Sequence, residues 1–241
     1  MSKEKGYVLF EGASLIDGAP IAVIATMASN NGKTGLSGRR NMVQTWVIRA
    51  DLAPHDALKT GQDESVCGDC QHRPANDGTC YVTVFQAPLA VYKGYKRGIY
   101  SRDVEQFYRD IEKRTVRFGA YGDPAAAPTA LWSTIASKCK GTTGYTHQWE
   151  RPGFDGSLLD YVMASVDNPE QASRVGSRYF RVKTPESPVL QGEVECLSDS
   201  KGLKCADCLV CDGGDKGKSI YITAHGAKAK RFNDSNIIAM A

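Results

Sequence analysis

The sequence predicts an α/β fold: a complete or partial β/α barrel of the TIM type with cysteine-rich metal-binding loops, or, as the alternative, an open doubly wound sheet. Three observations carry this. Apolar, β-branched segments alternate with helical segments, the pattern of parallel strands joined by crossover helices. Roughly six to eight such strands are available, which suits a complete or partial barrel. The 241 residues, 41% hydrophobic and 24% charged, have a globular balance and enough length for one large domain. The chain is read as a single α/β domain over 1–241, with cysteine loops at 61–80 and 184–218.

Taken in order, PIAVIAT (20–26) reads as a buried strand and QTWVIR (44–49) as the next. LAPHDALKTG holds a short helix. After the first cysteine loop, Pro88 to Lys96 reads as a helix started by its proline. RDVEQFYRDIEKR is an amphipathic helix and TVRFGAYGD a strand. PAAAPTALWSTIASKC is read as one helix, with Asp123 as N-cap and Pro124 at its first position. TGYTHQW and LLDYVMASVD are strands, NPEQASRVG a helix, RYFRVKT a strand. The stretch 184–218 lacks helical periodicity, and SIYITAHG closes the series as a strand.

The net charge of +3 is too small to point to a nucleic-acid or membrane partner. The amino-terminal stretch has no apolar core of signal-peptide type, and IAVIATMA is too short to span a bilayer. The expectation is a soluble, cytoplasmic protein with no membrane partner. In a reducing compartment, eight cysteines suggest metal ligation or redox chemistry before disulfides.

Parallel α/β folds gather functional groups beyond the carboxyl ends of their strands. Those ends deliver Asp123 from AYGDP, His147 and Gln148 from GYTHQW, Asp167 and Asn168 from MASVDN, and His225 from ITAHG. The first strand leads to Asn31 and Lys33 in SNNGKTG. Imidazoles and carboxylates in one place can share protons or bind metal. Asp123, His147, Asp167, His225 and Lys33 are therefore the candidate catalytic residues. The bland reading is that the aspartates cap helices and the histidines are structural. NNGKTG lacks the glycine that a phosphate-binding loop places five positions before its GK pair. Met27 stands there, so a lysine reaching an anionic group is the better reading.

The cysteines form two groups, Cys67, Cys70 and Cys80, then Cys196, Cys205, Cys208 and Cys211, with Cys139 apart as an ordinary thiol. Two paired knuckles, Cys67 with Cys70 and Cys205 with Cys208, would suit zinc, as would Cys67, Cys70, His72 and Cys80. The even steps of Cys205, Cys208 and Cys211 fit a four-iron cluster better, because neighbouring thiolates can reach separate irons. An iron–sulfur cluster is favoured, with zinc the alternative, and one or two sites are open.

A strand before a three-cysteine loop, strand–helix units after it, and a late multi-cysteine segment resemble radical S-adenosylmethionine partial barrels in outline. The loop reads C-x2-C-x9-C where that family has C-x3-C-x2-C. The strings KTG, CGDC, AYGDPAAAP, GYTHQW and AHG are also similar to a group of phage-encoded, functionally uncharacterised cysteine-rich proteins. This implies a viral origin and an infected host cell's cytoplasm, and supplies no activity. The leading expectation is an iron–sulfur redox or radical enzyme acting on a small molecule. The rival is a zinc-stabilised module that binds protein or single-stranded nucleic acid through Lys93, Lys96, Arg97 and Arg102 interleaved with Tyr92, Tyr95 and Tyr100. A third reading has the metal merely fastening long loops.

Overall fold

In the computed structural model, described for residues 5–27, 42–76, 78, 80, 82–225, 229–230 and 232–233, two five-stranded sheets carry the helices. The first runs in the order β1 (Gly6–Ala13), β2 (Pro20–Thr26), β3 (Val43–Arg49), β4 (Thr115–Tyr121), β5 (Gly141–Thr143). Its first three strands pair antiparallel, and β3, β4 and β5 pair parallel. The second contains β6 (Tyr145–Thr146), β7 (Met163–Val166), β8 (Tyr179–Lys183), β9 (Glu193–Glu195) and β10 (Ser219–Thr223), in the order β6-β7-β8-β10-β9. All its pairings are parallel.

The α/β class holds, and among the described residues no closed barrel forms. One edge is taken by the antiparallel strand β1, which the sequence reading did not count. The other ends at β9, held to β10 over three residues. The sheets meet where β5 passes into β6 through Gly144 alone. Its carbonyl accepts from Met163 N–H at 3.0 Å. A Cβ on Gly144 would lie 2.8 Å from the Val162 side chain and 2.9 Å from that of Phe118. Only glycine lets the strand turn this corner.

Three element expectations are corrected. The helix expected from Pro124 breaks into a 3-10 turn at Pro124–Ala126 and a helix at Thr129–Lys138. Pro128 forces Ala127 into extended backbone, so no continuous helix can pass. TGYTHQW is strand only at its start, since His147 begins a 3-10 turn. LLDYVMASVD likewise contributes a 3-10 turn before its strand narrows to Met163–Val166.

The main core lies between the first sheet and its helices, around Ile21, Ile24, Ile48, Phe107, Phe118 and Trp132. Trp132 satisfies its indole N–H on the Pro124 carbonyl at 2.8 Å. The second sheet is held differently. Arg181 on β8 forms a two-pronged bond to Glu193 on β9, at 2.6 and 2.7 Å, and both side chains are almost wholly buried. Removing one partner of such a pair strands the other charge in low dielectric. Glu193→Ala should therefore lower unfolding free energy by about 3–5 kcal/mol, read as a shifted midpoint in urea. A shift under a tenth of that would mean that β9 is not anchored by this pair.

Candidate functional site

Each cysteine loop is built around one buried arginine. In the first, Arg73 grips the Asp63 carboxylate at 2.6 and 3.1 Å and donates to the Gly61 and Gly68 carbonyls, each at 2.8 Å. The loop has little sheet or helix to satisfy its backbone, and the guanidinium replaces that ladder. The turn carrying Cys67 then reverses at Gly68, where φ is +60° and a Cβ would fall 2.0 Å from the Gln148 amide. Cys80 is drawn back by its N–H bond to the His72 carbonyl, 2.8 Å. Cys67, Cys70 and Cys80 thus share one neighbourhood, and burial, with the nearby Asp63 and the other two thiols adding, pushes the Cys67 thiol well up.

In the second loop, Arg178 donates to Asp212, to the Gly213 and Lys218 carbonyls, and to the Val210 carbonyl. Cys205 and Cys208 lie on a four-residue helix. Leu209 follows with φ of +53°, a left-handed turn that a leucine adopts only under constraint, and returns the chain toward Cys211. Cys196 joins them, anchored by its N–H to the Tyr221 carbonyl at 2.8 Å. Burial pushes the Cys211 thiol up to about 12; a hydrogen bond from Tyr145 opposes this, and Cys196, Cys205 and Cys208 add to it. None of the eight cysteines is in a disulfide.

The seven grouped cysteines therefore divide into three and four. Both sets reach one cavity of about 300 Å³, into whose wall Cys67, Cys70 and Cys80 enter from one loop and Cys196 and Cys205 from the other. Val166, Phe180, Val182 and Ile222 make much of the rest apolar. Tyr121 is buried in the same wall, and its hydroxyl meets no hydrogen-bond partner among the described residues.

The strand ends converge here as the parallel topology requires, with different duties. Asp123 is a buried strut. One oxygen caps the turn at Ala125 N–H (2.9 Å) and the other accepts His147 N–H (2.8 Å). Burial raises its carboxyl, partly countered by those bonds. Asp167 lies against two imidazoles, 2.9 Å from His72 Nε2 and 3.6 Å from His147 Nε2. Burial works to raise the Asp167 carboxyl, but hydrogen bonds from His147 and His72 outweigh it and hold it well below the usual carboxylate range. Burial disfavours the His147 imidazolium, yet Asp167 and Cys70 outweigh it and lift His147 well above an ordinary histidine.

His225 enters the cavity wall elsewhere. It is exposed, bonded through Nδ1 to the Thr223 carbonyl and 3.7 Å from Asp199, so it stands apart from the His147 group. Lys33 and Asn31 lie outside the described residues. In the basic–aromatic segment Lys93, Lys96, Arg97 and Arg102 are exposed and the tyrosines half-buried, and several are held by neighbours. Tyr95 and Arg102 bond Glu11, and Tyr92 and Lys96 bond the carbonyls of Asp51 and Ala50. His72 had been considered only as a zinc ligand beside its cysteines. Arg73, Arg178, Tyr121 and Tyr145 carried no signal beyond their residue types. No protein-family model, curated protein or solved structure matches this chain.

If Arg73 holds the first loop, Arg73→Lys should keep the charge but lose the forked geometry. The expected result is a loss of about 1–3 kcal/mol in stability and faster alkylation of Cys67 and Cys70, with Cys211 unchanged. Unaltered alkylation at all three sites would contradict the assignment.

Proposed function

We propose that this chain is an iron–sulfur-dependent enzyme of redox or radical type, acting on a small molecule in the cavity of an open, partial β/α barrel. Cys67, Cys70 and Cys80 hold a four-iron cluster with one iron left for a ligand in the cavity. Cys196, Cys205, Cys208 and Cys211 hold a second, fully ligated cluster. The observation that carries the reading is the division of seven thiols into three and four around one cavity.

The even steps of Cys205, Cys208 and Cys211 favour iron over zinc, because neighbouring thiolates at that spacing can reach separate irons of one cluster. Burial, with the neighbouring thiols adding, raises Cys67 and Cys211, and a bound metal would offset that cost for their thiolates. The unpartnered Tyr121 hydroxyl is a further sign that something accepts from it in the working protein.

When bound, such a cluster supplies one-electron chemistry at its open iron. The chain's own part is to hold and insulate. His147, within hydrogen-bonding reach of Cys70 and fixed by Asp123, supports a cluster thiolate. The apolar wall keeps water away, and Arg117 and Ser165 offer polar contacts to a ligand. Resemblance to radical S-adenosylmethionine partial barrels points the same way. Tyr92 and Tyr95 are tied to Asp51 and Glu11, which gives less support to a zinc-stabilised nucleic-acid module.

Anaerobic purification should yield a brown protein with roughly two four-iron clusters' worth of iron and sulfide. Cys67→Ser and Cys208→Ser should each remove about half. A colourless protein with stoichiometric zinc and no sulfide would overturn the proposal, and loss of folding in both variants with no iron in the parent would favour simple fastening.

A further inference from the structure

We propose that His72, His147 and Asp167 form a separate site for a single borderline divalent metal ion, beside the cysteine-lined cavity and distinct from either thiolate set. Three observations converge on it. The ligand atoms of these residues all lie within 4.8 Å of one another, alone in this among the described residues. The two imidazoles present the same ring nitrogen, Nε2, to the same Asp167 oxygen, at 2.9 and 3.6 Å. Bonds of roughly 2.0–2.2 Å to imidazole nitrogen and carboxylate oxygen put neighbouring donors about 3.0–3.5 Å apart, and the two separations to Asp167 already lie close to that range.

The supporting contacts are those of a built site. The His72 ring packs edge-on against His147, with centroids 5.3 Å apart, and is backed by Phe232 at 5.6 Å. Asp123 fixes His147 from its backbone. Asp167 is fixed at the other side, where its N–H donates to the Gln171 side chain at 2.7 Å. The side chains of His72 and Asp167 are only 11% exposed, so their orientation is set by the interior. A carboxylate between two imidazoles can instead be a plain hydrogen-bonded ion pair. Either way, both Nε2 atoms and the carboxylate oxygen are brought to one point, where an ion would meet all three.

Two imidazoles with one carboxylate suit zinc, iron(II), cobalt or manganese, whereas thiolate sets take softer ions. His72 and His147 stand in the cavity wall while Asp167 sits behind them, so an ion here would be reached from the cavity. It would take an oxygen- or nitrogen-donor substrate on its remaining positions, next to Cys70. The site depends on the proposed function only for that substrate, not for its ligands.

The test is a manganese(II) titration of the full-length, cluster-loaded protein, followed by the paramagnetic resonance of free manganese and by displacement with zinc. Manganese avoids thiolates, so the same titration holds on protein found to carry no sulfide. One saturable site is expected, displaced by zinc, with affinity lowered at least about tenfold in Asp167→Asn and His72→Asn. Glu112→Gln, at an exposed acid just after the helix Val104–Ile111, should leave it unchanged. Absence of saturable manganese or zinc uptake by the folded protein, or uptake equal in wild type and both ligand variants, overturns the site. Iron and sulfide content of the same samples reports separately on the cluster reading. Circular dichroism identifies a variant that fails to fold, in which case the other ligand variant decides.

Discussion

Both cysteine loops hang on five residues of one strand and its continuation, 144 to 148. Gly144 donates its N–H to the Cys211 carbonyl at 3.0 Å, and Gln148 reaches the Cys67 carbonyl at 3.3 Å. Between them Tyr145 lies within hydrogen-bonding reach of Cys211, and His147 of Cys70. Tyr145 and His147 are two residues apart, the spacing that returns extended backbone to one face. This short segment can touch two loops because Gly144 turns the corner between the sheets. The two thiol groups thereby reach one cavity.

Irregular loops at the centre of a fold carry backbone groups that no ladder satisfies. Here the cost is met by buried arginines. Arg73 and Arg178 each gather two or three carbonyls and one carboxylate, and Arg181 ties β8 to β9. Buried ion pairs contribute little net stability against apolar replacements, but they specify geometry and are costly to break singly. Geometry is what the proposed ligand sets would need, since supporting contacts aim each ligand.

Much of the framework was legible in the sequence. Strands β2, β3, β4, β8 and β10 follow from their β-branched runs, and the parallel pairing from β3 onward follows from strand–helix alternation, whereas the expectation of parallel strands fails at β2, which pairs antiparallel with β3. The meeting of Asp123, His147 and Asp167 was legible because strand ends share a side in such sheets. What escaped was decided by tertiary contact or by single residues. GYVLFEGA becomes the edge strand β1 by pairing with β2, a pairing its composition does not announce. Pro128 split a helix that its alanine-rich surroundings favoured. His225 lies on a legible strand end yet too far along the wall to join the others. The arginines were invisible because a buried guanidinium and a solvated one look the same in a string of letters. The division of the thiols into three and four followed the sequence grouping, but their convergence on one cavity needed the fold.

The central claim is that two iron–sulfur centres flank one cavity, joined by residues 144 to 148. The direct measurement is low-temperature electron paramagnetic resonance of the dithionite-reduced protein, compared with Cys67→Ser and Cys208→Ser. The account predicts one paramagnetic centre in each variant, and a parent spectrum broadened and split by coupling beyond the sum of the two. A parent spectrum with a single centre that both variants abolish, or no iron–sulfur signal at all, would contradict it.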